Sequence, residues 1–469
     1  MNEALRENLF MLLVSVMNEI PIFLVGKPGC SKSLAVEILQ SNLNGEASDS
    51  EFLKALPAVE VFPYQCSPLS TSAGIAGAFA AARRSRLGSA RTVVCVLLDE
   101  VGLAEESPHL PLKVLHKELE HLEGVACIGI SNWALDAAKM SRAVHLYRPP
   151  PTVDDLSSTA EGMVASSNLK GYLRSLSSAF FAVYRRQVRA DFWGLREFYS
   201  TVRVINAALR RQSAHAEEEG AMWTPTLEPE VLMDAVLRNF GGRPQEELNA
   251  VIEEFFSACG MSARDAPRQG VMDLVRQNLR EPDARHLMLL TTNNAALRLL
   301  CEHGRLGTTE VMFGSCFPRD QTDAYVAASL QRIKTVMNEP ICLVLVHCDS
   351  LYEALYDLLN QHYMEYAGQR YVRLAHGTRS KQCPIHVHFR VVVIVEIVDA
   401  YHHLAPPLLN RFEKQVLLRE HLLRPRERHL LTRIERFMAA VLEDISCGRA
   451  VGENGHKSST CRAEPWQLV

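Results

Sequence analysis

The stretch "PIFLVGKPGCSKSLA", residues 21–35, carries residue types spaced for gripping phosphates. Gly26 and Gly29 give the backbone the freedom an anion cradle needs. Lys32 would reach the β- and γ-phosphates of a nucleotide, and Ser33 would place its hydroxyl on Mg²⁺. The usual pattern is G-x-x-x-x-G-K-[ST], and Ser31 stands where its second glycine would be. That position lies where the chain enters a helix. A right-handed backbone is expected there, and serine suits a helix start.

Other residues would complete such a site. "VVCVLLDE" is an apolar strand ending in Asp99 and Glu100. Two carboxylates at the C-terminal edge of a parallel sheet lie where such folds bind ligands. Asp99 would hold the Mg²⁺ shell and Glu100 would polarise the attacking water. "ACIGISNWALDAAKMSR" ends its strand at Asn132, whose amide would orient that water. Arg142 follows, placed to reach a neighbour's γ-phosphate across a module edge, the charge that phosphoryl transfer needs. Arg196 in "DFWGLREFYS" would sense the γ-phosphate from a lid helix. Each has an ordinary reading too: strand-ending acids, a turn-forming Asn, solvated arginines. Their order along one chain favours the functional one.

The elements that must position these residues alternate. "IFLV", "AVEVFPY", "VVCVLLDE" and "ACIGIS" are apolar runs without clean alternation, as strands of a parallel sheet read when helices cover both faces. The fold class is therefore α/β. "LFMLLVSVM" near the start is too short to span a bilayer and reads as a helix packed on the first strand. Residues 1–150 form the first unit, closed by "YRPPP". Residues 151–280 read as mostly helical, a lid and linker. Strand-like runs return in 281–420 at "HLMLLTT", "TEVMFGS", "ICLVLVHC" and "FRVVVIVEIV". Residues 421–469 read as a charged helix and a tail too polar to order.

The second block lacks the chemistry of the first. "NNAALRLL" follows its first strand, without a glycine-rich turn or a Lys-Ser pair. Asp349 stands where the acid pair would lie, and Glu396 near the position of Asn132. "LLNRFEK" still offers Arg411 as a finger or interface residue.

Composition narrows the classes. A net charge of -4 gives no basic field for nucleic acid or anionic membrane. The 12 cysteines are scattered, with no C-x-x-C pair, so reduced thiols are expected rather than a zinc ribbon. "CPIHVH", with Cys383, His386 and His388, has no standard ligand spacing and reads as strand-flanking residues. The chain is read as cytoplasmic.

Together, the loop, the acid-ended strand, Asn132, Arg142, the helical lid and Arg196 resemble the AAA+ P-loop NTPase module. "LLDEVGLAEESPHLPLKVLHKELE", "IGISNWALDAAKMSR", "GLREFYS", "LRNFGG", "LYEALYDLLNQHY" and "PPLLNRFEKQ" are similar to the mysterin family, giant ubiquitin ligases with a dynein-like row of AAA+ modules. The resemblance implies ATP and Mg²⁺ as cofactors. It implies nucleotide contacts from Gly26, Gly29, Ser31, Lys32 and Ser33, and roles in Mg²⁺ binding and hydrolysis for Asp99 and Glu100. It places Asn132, Arg142 and Arg196 at the sensor 1, arginine-finger and sensor 2 positions. Adjacent AAA+ modules are the implied partners, with ubiquitin machinery and lipid-droplet surfaces by resemblance alone. The family's zinc-bearing ligase regions find no match in these residues. Three readings stay open: an ATPase, a nucleotide-stabilised scaffold, and a ligase component inactive without those regions.

Overall fold

The computed structural model describes residues 3–451, apart from 68–69, 89–90, 106, 108, 165–166, 219–225, 304–305, 316, 318–319, 321, 377–378 and 424. The tail read as unordered thus lies, from residue 452 on, outside the described residues. The charged helix before it spans Pro425–Val451.

Five parallel strands build the first sheet: β1 (Ile22–Gly26), β2 (Ala58–Gln65), β3 (Thr92–Asp99), β4 (Val125–Ser131) and β5 (Val144–Arg148). Their order across the sheet is β2-β3-β4-β1-β5. β1 and β4 are buried along their whole length, which explains their unbroken apolar sequences. One face packs around Phe23, Phe79 and Leu98. The other packs under the helix Glu3–Met17 through Leu5, Leu12 and Val16.

The second sheet holds β6 (Leu287–Thr291), β7 (Thr309–Phe313), β8 (Cys342–Val346), β12 (Arg390–Glu396) and β13 (Glu413–Val416). Its order, β13-β6-β12-β8-β7, repeats the first. Between β8 and β12 lies an antiparallel sheet of β9 (Tyr363–Tyr366), β10 (Gln369–His376) and β11 (Arg379–Ile385).

The sequence reading holds four strands per block, and the structure adds β5 and β13 at the two sheet edges. β13 is hard to read because its residues are Glu-Lys-Gln-Val. Those polar side chains are buried because they meet partners from the helical region, charged for Glu413 and Lys414 and backbone carbonyls for Gln415. Arg238 bonds both Glu413 oxygens at 3.2 Å, and Lys414 Nζ donates to Glu197 at 2.7 Å.

The helical region contains Val153–Glu161, Ser167–Arg186, Leu195–Glu218, Pro229–Asn239, Gln245–Ala258 and Val271–Arg280. Its apolar stripes do not close on themselves. Phe180, Phe198, Phe240 and Phe255 join Leu290, Leu345, Val393 and Phe412 in one core. The helices and the second sheet therefore form a single packed body beside the first sheet.

Candidate functional site

The loop after β1 runs from Gly26 to the helix Lys32–Asn42. Gly29 has φ 91°, and a Cβ there would meet the Leu195 Cβ at 2.8 Å. Ser31 has φ 57° and ψ 25°. This corrects the right-handed backbone expected from the sequence. The position needs a left-handed residue, and Ser31 occupies it as the helix N-cap without a side-chain capping bond. Intrahelical bonding begins with Ala35 N donating to Ser31 O at 3.1 Å. The N–H groups of Lys32, Ser33 and Leu34 are thus the helix's free first turn. Asn8, fully buried on the first helix, props the loop by donating to the carbonyls of Cys30 and Ser31 at 3.5 Å each.

Lys32 is buried, and burial lowers the pKa of its ammonium. Its Nζ bonds the Gly26 and Lys27 carbonyls at 2.5 and 2.9 Å and Asn132 Oδ1 at 3.3 Å. The Asn132 Nδ2 donates to Glu100 Oε2 at 2.5 Å. Lys32, Asn132 and Glu100, far apart in sequence, thus form one hydrogen-bonded chain at the sheet edge. Asp99 ends β3 and accepts from Glu100 N at 3.0 Å. Burial first, and then the Glu100 and Asp357 carboxylates, push the Asp99 carboxyl up to about 7, against Arg373 and His362.

Arg196 lies close enough to Lys32 to help lower its pKa. The second block supplies Arg411, 7 % exposed, which feels Arg196, Glu100 and Asp99. Its Nε is buried without a hydrogen-bond partner among the described residues. Tyr356, also from the second block, donates to Glu100 Oε1 at 2.7 Å. An apolar pocket lined by Pro150, Pro151, Leu156, Phe180 and Leu195 opens beside Lys27 and Pro28. Lys27 ties the loop to the helical region through Tyr184 Oη at 2.6 Å and Asp191 at 2.8 Å.

Arg142 is not brought to this cluster. Its guanidinium bonds Glu120 at 2.9 Å and the Ala138 carbonyl. Sequence reasoning assigned no site role to Tyr356, Asp357, Arg373 or Lys27. Tyr356 and Glu100 are separated by 256 positions, and no spacing rule reaches that far.

The corresponding edge of the second sheet differs. Ile22 pairs Ile128 in the first sheet, and Leu287 pairs Val392 in the second. Carried along both ladders, this register sets Glu396 at the position of Asn132. Val346 and His347 then stand at the positions of Asp99 and Glu100. His347 shares the backbone of Glu100, both at φ 53°. Asp349, expected at the acid-pair position, lies beyond it in the short turn Asp349–Leu351. The Glu396 carboxylate accepts from the N–H groups of Asn293 and Asn294 at 3.1 and 2.8 Å. A carboxylate of the chain itself thus engages two N–H groups of this loop.

Among the described residues, no group of three or more His, Cys, Asp and Glu side chains is gathered for a metal ion, "CPIHVH" included. No described helix is long and apolar enough to cross a membrane.

Two parallel sheets in the same strand order, flanked by helices, define an α/β chain of two tandem AAA+ modules. Residues 1–155 and 276–423 match two family models, each described as an RNF213 AAA domain. The chain is 36% identical over 505 residues to the E3 ubiquitin-protein ligase RNF213 of Mus musculus, covering 100% of this chain and 10% of that protein. It is 37% identical over 446 residues to its Homo sapiens namesake, covering 89% of this chain and 8% of that one. It is 34% identical over 462 residues to rnf213-beta of Danio rerio, an E3 ubiquitin-protein ligase, covering 93% and 9%. The chain belongs to the RNF213 AAA family and spans about a tenth of the length of these relatives.

Proposed function

We propose that the first module binds ATP with Mg²⁺ and hydrolyses it, while the second is structural and completes the first one's site. The hydrogen-bonded chain Lys32–Asn132–Glu100, faced by the buried Arg411, carries this reading.

The residues fit a nucleotide. Gly26, Gly29 and Ser31 shape the loop, and Lys32 turns from the loop carbonyls to phosphate. Ser33 and Asp99 offer the hard oxygen donors that Mg²⁺ prefers. Asp99, raised by burial beside a second carboxylate, is a place where a cation is favourable. When bound, Mg²⁺ supplies charge neutralisation at the phosphate oxygens. Glu100 then orients and deprotonates the attacking water, with Asn132 holding its carboxylate. Arg196 and Arg411 counter the charge that develops on the transferred group. Arg142, paired at the surface with Glu120, is left to serve a preceding module in a longer row. By its relatives' names, the chain would be a segment of a ubiquitin ligase.

Phosphate release by the 469-residue chain tests this. Lys32→Ala abolishes turnover. Glu100→Gln keeps ATP binding and loses turnover by on the order of a hundredfold or more. Turnover by Glu100→Gln at the parent rate would remove Glu100 from its role.

A further inference from the structure

A base that activates water must be held in one orientation. Glu100 follows β3 with φ 53°, which takes its side chain out of the strand's alternation. Each of its carboxylate oxygens instead has its own donor. Asn132 serves Oε2 from the same module, and Tyr356 serves Oε1 from the other.

Tyr356 opens the short helical turn Tyr356–Leu359 in the segment joining β8 to β12. Leu355, Leu358 and Leu359 root that turn in the shared core. Arg373 on β10 pins it by bonding Asp357 at 2.5 Å. On the Tyr356 ring lies the guanidinium of Arg411, 4.1 Å from the centroid. Packing therefore places the ring, and the hydroxyl alone meets the carboxylate. A buried tyrosine hydroxyl needs a polar partner. Here that partner is the proposed base.

We propose that Tyr356 is a positioning residue of the first module's site, through which the docking of the second module sets the orientation of Glu100. This inference rests on the ATPase reading. It gives the second module a role that requires no nucleotide of its own.

Tyr356→Phe in the full chain removes the hydroxyl and keeps the ring on Arg411. It is expected to lower kcat by about ten- to a hundredfold and to leave KM for ATP unchanged. A structural role alone would lower the fraction of folded enzyme and spare kcat per folded site. A double-mutant cycle with Glu100→Ala, read as Tm, supplies a second measure. Tyr356→Phe should lower Tm in the parent and should leave or raise it in Glu100→Ala. Equal losses in both backgrounds, or an unchanged or raised kcat, overturn the proposal. Turnover that Lys32→Ala abolishes and Tyr356→Phe spares sinks this inference alone. Turnover that survives Lys32→Ala sinks the ATPase reading itself.

Discussion

Ser31 holds a left-handed backbone at φ 57° although it carries a Cβ. For an L-residue that conformation costs about 1–2 kcal/mol. Glu100 and His347 share it at corresponding strand ends. Strain of this kind persists where surrounding structure holds it in place. Ser31→Gly is therefore expected to raise stability by about 1 kcal/mol, seen as a higher urea midpoint, with ATP affinity retained. A lowered midpoint would show that the serine side chain contributes more than the strain removes. The pattern itself held the clue to this angle. A consensus glycine at that position is informative because only glycine takes positive φ freely. Serine's preference for helix starts points the other way, and sequence cannot weigh the two. The acid pair, Lys32 and Asn132 were legible because each ends or begins an element.

At the scale of elements, the two modules share a strand order and differ in their loops. The first leaves Lys27 to Ser31 between strand and helix, the second only Thr292 to Asn294. The second connection is two residues shorter than the first, and the Glu396 carboxylate accepts from its Asn293 and Asn294 N–H groups. One nucleotide should bind per chain by calorimetry, and none after Lys32→Ala. Glu396→Ala should lower stability by about 1 kcal/mol without creating a second site. Two nucleotides bound by the parent would contradict the plugged-loop account. Apolar strands such as β1, β4, β6 and β12 were readable because burial on both faces demands unbroken hydrophobic runs. β13 escaped because its buried charges are answered by partners elsewhere in the chain. The sheet β9 to β11 escaped because its strands are half-exposed and polar.

At the scale of the molecule, the helical region and the second sheet share one core, locked by buried charges. Lys414 and Glu197 are both fully buried, with Arg285 Nη1 3.1 Å from the same carboxylate. Burial lowers the Lys414 pKa from 10.5 to about 8, partly offset by Glu197 and deepened by Arg285. The unfolded chain then binds the extra proton between those values. The penalty of burying the ammonium is thus full below pH 8 and is relieved as pH rises toward 10.5. Lys414→Met removes this linkage. The stability of the parent relative to that variant should rise between pH 8 and pH 10. A flat difference across that window would mean that Lys414 keeps its ordinary pKa.

Sequence by itself determined the α/β class and which of the two loops carries the glycines and the Lys-Ser pair. These are local properties, set by periodicity and by residues at element ends. Only the tertiary structure decided that Arg411 and Tyr356 face Glu100 while Arg142 turns to Glu120. Only it showed that the helical region packs with the second module. The reason is physical. Contacts across hundreds of positions arise from the docking of whole faces, and no single residue's type records which face its module will meet.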